Sequence, residues 1–347
     1  MSILSGVGSF FGLDIGTNAV RLVQLGSGDV NHRPLLKYAY VPIEGNMALS
    51  DSKTDQQKLA QVIKSLVEQA RVTTRNVAVG LPSQKVFTTV VDIDRLSPDE
   101  LNRSIHLQAD SLIPTPISES KMDWAVLGDS PVDKTKVEVL LTSVTNAYSE
   151  SRLEMLESIG LNVIAFEPDS LALTRALVAP NAPAISMIVN IGQRTTDIVV
   201  CLNGAPRLTR AIPIGTEGLI RSTAQNLSID ETQAEHFIYK FGLTADKLEG
   251  QVYKALLGSV DQLVAEIEKS SKFFTSRYAG TKIERIIVTG GASTIPSLPN
   301  YFANKLNVEI EIGNAWRGVA YSADRQNELA ALSNQFGVAV GLAERVE

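Results

Sequence analysis

Two short stretches of this chain end an apolar run with an acid or amide placed two residues before a glycine. The first reads Phe10-Phe11-Gly12-Leu13-Asp14-Ile15-Gly16-Thr17-Asn18-Ala19-Val20-Arg21-Leu22. The run stops at the turn and alternation resumes at Val20, which predicts strand, tight turn, strand. At such a tip the backbone N–H groups of Gly16, Thr17 and Asn18 form a concavity that favours anions. Asp14, just ahead of the turn, stands where a carboxylate can hold a divalent cation through water. The second stretch, Met187-Ile188-Val189-Asn190-Ile191-Gly192-Gln193-Arg194-Thr195-Thr196-Asp197, repeats the design at a constant offset. Asn190 takes the place of Asp14 and Gly192 that of Gly16. A lone Asp-x-Gly also marks ordinary turns. The duplicated register is what points to two related lobes with a phosphate-bearing ligand clamped between them.

The elements that must carry these hairpins follow from periodicity. Strands are expected at 35–43 and 76–81, with helical spacing across 55–71 and a further strand at 162–166 followed by a helix at 170–178. Between them lies a stretch of different character. It holds a strand at 86–93 and a helix opened by Ser97-Pro98-Asp99-Glu100, a capping serine with proline next and glutamate three residues on. Strands at 124–127 and 137–144 complete a β-α-β-β module, and a helix at 149–159 returns to the first lobe. In the second half, Asn203-Gly204 is a two-residue hairpin signal and Gly215-Thr216-Glu217-Gly218 reads as a turn. Residues 219–274 are almost wholly helical by pattern, with Ser228 or Asp230 as a cap. The strand ending at Thr289-Gly290-Gly291-Ala292 breaks into a glycine turn, and a helix at 298–306, a strand at 308–312 and one helix over 329–345 close the chain. The expected fold is α/β, two lobes with duplicated mixed sheets and a small inserted α+β subdomain. The expected domains are 1–81 with 149–184, the insertion 82–148, 185–224 with 284–347, and a helical subdomain over 225–283.

Composition limits the chemistry. The length of 347 residues suits two lobes. The net charge of -6 argues against a nucleic-acid surface, which needs a basic stripe. Cys201 is the one cysteine, so neither an internal disulfide nor a cysteine-built zinc site can form, and His32, His106 and His236 lack metal-ligand spacing. No apolar stretch approaches the ~20 residues of a membrane span, and residues 1–11 lack the marks of a signal peptide. The expectation is a soluble, intracellular protein that reaches a membrane only through a partner.

The glycine hairpins, the Thr289-Gly290-Gly291-Ala292 turn and the late Val340-Gly341-Leu342-Ala343 resemble the sugar-kinase, chaperone and actin superfamily. Within it the chain is most similar to the PilM family, cytoplasmic actin-like proteins of type IV pilus assembly. The likeness covers nearly the whole chain. It rests on Phe11-Gly12-Leu13-Asp14-Ile15-Gly16, Ser97-Pro98-Asp99-Glu100-Leu101, Gln108-Ala109-Asp110-Ser111-Leu112-Ile113-Pro114-Thr115-Pro116, Ala234-Glu235 with Lys240, and Glu266-Ile267-Glu268-Lys269-Ser270.

The resemblance implies an interlobe cleft for ATP or ADP with Mg²⁺. Asp14, Gly16, Thr17 and Asn18 would form the first phosphate hairpin, and Gly192, Gln193, Arg194 and Thr195 the second. Gly290, Gly291 and Ala292 would approach the nucleoside, where a missing side chain admits close backbone contact. Glu266 and Lys269 would face ribose and adenine, although i,i+3 spacing also suits a surface ion pair. The metal would rest on Asp14 and, through water, Asn190. The family's second hairpin opens with an acid. An amide there brings no charge, so hydrolysis is expected to be slow or absent unless Asp14 suffices or Asp197 compensates.

The family also implies a PilN-like inner-membrane partner, whose short cytoplasmic tail enters between the first lobe and the inserted module, with pilus motor ATPases as further partners. Phe87, Ile105 and Leu112 are candidates for that groove's wall, with ordinary core packing as the competing reading. Two other functions occur in the same superfamily. A small-molecule kinase would need a general base, Asp14 or Glu167. A cell-division protein resembling FtsA would normally end in a linker and membrane helix, which the C-terminal residues do not resemble.

Overall fold

The computed structural model describes residues 8–29, 32–44 and 47–345. The expectations for residues 1–7 and for part of the turn at 26–34 fall outside them. In chain order the elements are β1 (Phe11–Ile15), β2 (Ala19–Leu25), β3 (Arg33–Pro42), α1 (Lys53–Ala70), β4 (Asn76–Leu81), β5 (Val86–Asp94), α2 (Pro98–Leu112), β6 (Ser120–Asp129), β7 (Lys136–Thr145), α3 (Asn146–Ser158), β8 (Asn162–Pro168) and α4 (Asp169–Leu177). The second half adds β9 (Ser186–Ile191), β10 (Thr196–Leu202), β11 (Ala205–Ile212), α5 (Thr216–Leu227), α6 (Glu231–Phe241), α7 (Gln251–Arg277), β12 (Arg285–Thr289), α8 (Leu298–Leu306), β13 (Glu309–Ile312), β14 (Val319–Ala320), α9 (Gln326–Leu332) and α10 (Gly337–Ala343).

The described residues form three sheets, ordered β14-β3-β2-β1-β4-β8, β11-β10-β9-β12-β13 and β5-β7-β6. In the first two, an antiparallel hairpin leads into parallel partners, β1 beside β4 and β9 beside β12. Their central strands are apolar on both faces because both faces are covered. On one side of the first sheet, Phe11, Leu13 and Leu22 pack with Leu59, Ile63 and Leu156. On the other, Val23 and Leu25 join Leu173, Ala339 and Leu342, and the same cluster takes in Ile188, Val199 and Ile287 of the second sheet. Helices α4 and α10 are therefore sandwiched between the lobes. They cross closely: a Cβ on Gly341 would lie 1.9 Å from the carbonyl oxygen of Ala172, and one on Gly12 would lie 2.4 Å from that of Ala339. The far side of the second sheet is covered mainly by α5, α6, α7 and α8 through Leu219, Ile238, Leu263 and Phe302.

Three sequence expectations need correction. Residues 215–218 open α5 instead of forming a free turn, because the carbonyls of Gly192 and Gln193 accept the N–H groups of Thr216 and Glu217. The single terminal helix is two pieces, α9 and α10, interrupted where Asn334 bonds to the Gly290 turn. The assignment of 284–347 to the second lobe must also be divided, since β14 pairs with β3 and α10 rests on the first sheet.

The inserted module has the expected order. Its helix α2 carries the capping box of Ser97 and Glu100 and buries Leu101, Ile105 and Ala109 against the sheet.

Candidate functional site

Both hairpins close in the same way. Gly16 N–H donates to the Ala19 carbonyl at 3.1 Å, leaving Thr17 and Asn18 as the loop, and Gly192 N–H donates to Thr195 at 2.9 Å, leaving Gln193 and Arg194. The two loops face a cleft of about 480 Å³ lined by Asp14, Gly16, Thr17, Asn18, Asn190, Gly192, Gln193, Thr195, Gly290 and Gly291, as well as by residues the sequence reading did not single out. The turn after β4 bridges it: Gln84 Nε2 donates to Thr195 Oγ1 at 3.0 Å.

The paired rungs reveal an exchange of charge. Asp14 stands opposite Arg21 on the first ladder, with a buried ion pair of 3.5 Å. On the second, Asn190 stands opposite Asp197. The second hairpin thus keeps a carboxylate, moved across the ladder. Burial pushes the Asp197 carboxyl up to about 6, against the opposing effect of hydrogen bonds with Ser83 and Asn190. Asp169, the first residue of α4, also lines the cleft. Burial, then the charges of Asp14, Asp197 and Glu167, raise its pKa well above the carboxylate range. One oxygen each of Asp169 and Asp197 is buried with no hydrogen-bond partner among the described residues. Such a group is costly unless a ligand or ion satisfies it, so the donor set fits a cation carried in with phosphate. Among the described residues no three acidic, His or Cys side chains converge on a bare ion. An ion here would therefore rely on ligand oxygens and water.

The opposite end of the cleft is built on Gly290, whose φ of +83° suits glycine. A Cβ there would lie 2.4 Å from the Ile191 carbonyl oxygen. Asn334 holds this turn from beneath. Its backbone carbonyl accepts from Gly290 N–H at 2.7 Å and Thr289 Oγ1 at 2.8 Å, and its side-chain Nδ2 donates to the Gly290 carbonyl at 3.0 Å and Ser293 Oγ at 2.6 Å. Glu231, Thr232, Glu235 and Tyr239 of α6 form the facing wall.

Several expected residues lie elsewhere. Glu266 and Lys269 are outside the cleft lining: Glu266 pairs with Arg210 at 2.8 Å and with Lys269 at 3.8 Å, so their spacing makes an ion pair here, and α6 rather than α7 contributes to the lining. Arg194 turns to Glu217 of α5, 3.3 Å away, and Ala292 is fully buried in the second-lobe core. Ile105 is fully buried in the module, with Phe87 and Leu112 packed around its cluster, because the apolar stripe of α2 faces its own sheet and not a groove. Glu167, the kinase base candidate, is clamped by Arg175 at 2.6 Å and Arg345 at 2.7 Å.

Asp169, Tyr239 and Asn334 were missed. Glu167-Pro168 marked the approach to Asp169, but nothing in the sequence near Asn334 announces its partner more than forty positions away.

Two lobes of related hairpin-led sheets, closing on a shared cleft through paired glycine turns, define an actin-like ATPase fold. Solved structures with this fold include EutJ of Carboxydothermus hydrogenoformans, an ethanolamine utilization protein. It has 15% identity and a TM-score of 0.57, with 97% of this chain and 89% of that one covered. MreB5 of Spiroplasma citri, solved with ADP, has 13% identity and a TM-score of 0.57, with 96% and 95% covered. A PilM-PilN type IV pilus biogenesis complex gives a TM-score of 0.80 at 24% identity, with 96% and 97% covered. The family of the type IV pilus assembly protein PilM matches residues 12–347, and the chain belongs to it. Membership disfavours the kinase and cell-division alternatives. No helix among the described residues is long and apolar enough to cross a membrane.

Proposed function

We propose that this protein is a nucleotide-holding scaffold of the type IV pilus inner-membrane platform, which binds ATP or ADP with Mg²⁺ between its lobes and receives the cytoplasmic tail of a PilN-like membrane protein. Family membership supports the assembly role. The observation that carries the nucleotide role is the equivalence of two glycine hairpins across one cleft, closed by the same N–H to carbonyl bond in each. Amides of Thr17, Asn18, Gln193 and Thr195 would cradle the phosphates, with Gly16 and Gly192 holding the two turns closed beside them. Asp14, with Asn190 through water, would orient a hydrated Mg²⁺, which neutralises phosphate charge. Gly290 and Gly291 would meet the nucleoside opposite Glu235 and Tyr239.

The tail of the PilN-like partner would enter between the first lobe and the inserted module. It would bring a cytoplasmic protein to the inner membrane, beside the pilus motor ATPases. The test titrates a fluorescent ADP analogue, with and without Mg²⁺, into the wild type and Gly192→Val. A second arm uses the protein to capture solubilised inner-membrane proteins with and without Mg-ATP. Saturable Mg²⁺-dependent binding, weakened at least tenfold by the valine, and recovery of a PilN-like protein are expected. Absence of nucleotide binding would overturn the first half, and capture without that protein the second.

A further inference from the structure

The Glu266–Lys269 pair displaced from the nucleotide cleft sits on the rim of a second depression, of about 420 Å³, on the other side of the inserted module. Its walls come from two different bodies: Thr88, Thr89, Val90 and Leu140 of the module, and Leu208, Thr209, Arg210, Lys269 and Phe273 of the second lobe, with Arg207 and Arg277 at its base. It is thus separate from the space between module and first lobe.

Two edge strands meet here. β5 is the outer strand of the module sheet and β11 that of the second-lobe sheet. Among the described residues neither has a ladder partner on its outer side, although the two strands approach one another locally, and an unpaired strand edge is a template for another strand. One long side-chain bond crosses between them, Thr209 Oγ1 to the Thr88 carbonyl at 3.5 Å. Because N–H and C=O of one residue in a strand point to the same side, Thr88 and Val90 direct their backbone groups outward. Phe273 is 62% exposed at the mouth and offers an apolar face to whatever enters.

The charge is also unbalanced. Arg207 and Arg277 are taken up by Glu138 and Asp92, with Glu138 buried beneath. On the rim, Arg210 and Lys269 share the single carboxylate of Glu266. Among the described residues four cations therefore meet three carboxylates here, and Lys269, 69% exposed at its side chain, is loosely held.

We infer that this groove docks an extended, acidic partner peptide, which adds as a strand to the β5 edge, seats an apolar side chain against Phe273, Val90 and Leu140, and presents a carboxylate to Lys269 and Arg210. Main-chain bonds would supply affinity, and the pocket and rim specificity.

The test pans a library of random ten-residue peptides against the full chain, counter-selected on a Lys269→Glu, Phe273→Ser variant. Enriched peptides are then synthesised and their affinities measured by fluorescence polarisation. Expected are alternating sequences with an acid beside an apolar residue. Binding should be at least tenfold weaker to each single variant and lost when the peptide backbone amides are N-methylated. Unchanged binding of the fluorescent ADP analogue shows that the variants are folded. Failure to enrich any groove-dependent peptide, enrichment of basic ones, or tolerance of N-methylation would overturn the inference. So would groove-dependent self-association in light scattering, which would give the surface to a second copy of this chain.

Discussion

Asn190 and Asp197 show how far one residue can be read alone and where its neighbour across the ladder is needed. From the sequence, an amide in the family's acidic position removes a charge. In the structure the opposite rung returns it, where the first lobe has an arginine. The hairpin itself was legible, since glycine and alternation fix it locally. Which residues share a rung depends on register, and register was implicit in the offset between the two repeats. If the carboxylate matters and its rung does not, Asp197→Asn should weaken Mg-ADP binding about tenfold, roughly 1.4 kcal/mol. The charge-swapped Asn190→Asp, Asp197→Asn double variant should recover most of it. Isothermal titration of the three proteins decides, and a double variant as weak as the single one would tie the site to the position of Asp197 itself. Single-turnover phosphate release by the wild type should be slow, because the second hairpin carries an uncharged amide at Asn190 and its acid stands on the opposite rung.

At the level of elements, α10 was the hardest to place. Its apolar residues and glycines predict a buried helix, and a buried helix it is. No periodicity announces that it crosses back to β1, because helix α4 and sheet β1 are recognised by shape, through Gly12 and Gly341. Its C-terminal end is held by arginines: Arg33 donates to the Ala343 carbonyl at 3.1 Å and Arg175 to that of Gly341 at 2.6 Å. Such donors satisfy the carbonyls a helix end leaves over. Just beyond, Glu344 is buried near Arg33, Arg175 and Arg317, and burial pushes its carboxyl from 4.5 up to about 7 despite those cations. A raised folded pKa means that the native state binds the proton more tightly than the unfolded chain. Its effect is absent below about 4.5, and stability declines as pH rises from there to about 7. Glu344→Gln should remove that slope, gaining about 2–3 kcal/mol over the wild type at pH 8 and little at pH 4.5. Urea denaturation of both proteins across that range checks it, and parallel pH profiles would mean that Glu344 ionises without penalty.

For the whole molecule, the lobes share a core around α4 and α10 but face one another across the cleft through few polar bonds, such as Gln84 to Thr195. A ligand touching both hairpins would therefore tie together two bodies that otherwise meet mainly at their base. A ligand that binds only the native state stabilises it by about 2.7 kcal/mol at a hundredfold excess over Kd. Shared contact adds a spatial prediction. Amide exchange should slow at 14–21 and at 190–197 together when Mg-ADP is added, with the same concentration dependence. Gly290→Ala places a Cβ 2.4 Å from the Ile191 carbonyl oxygen at a backbone φ of +83°. It strains the nucleoside end and presses on Ile191 and Asn190 at the base of the second hairpin while leaving the first hairpin untouched, so a ligand gripped by both should show both protections shifted to higher ADP by the same factor. Protection of one hairpin alone, or a shift confined to the second lobe, would mean that the two turns do not grip one polyphosphate.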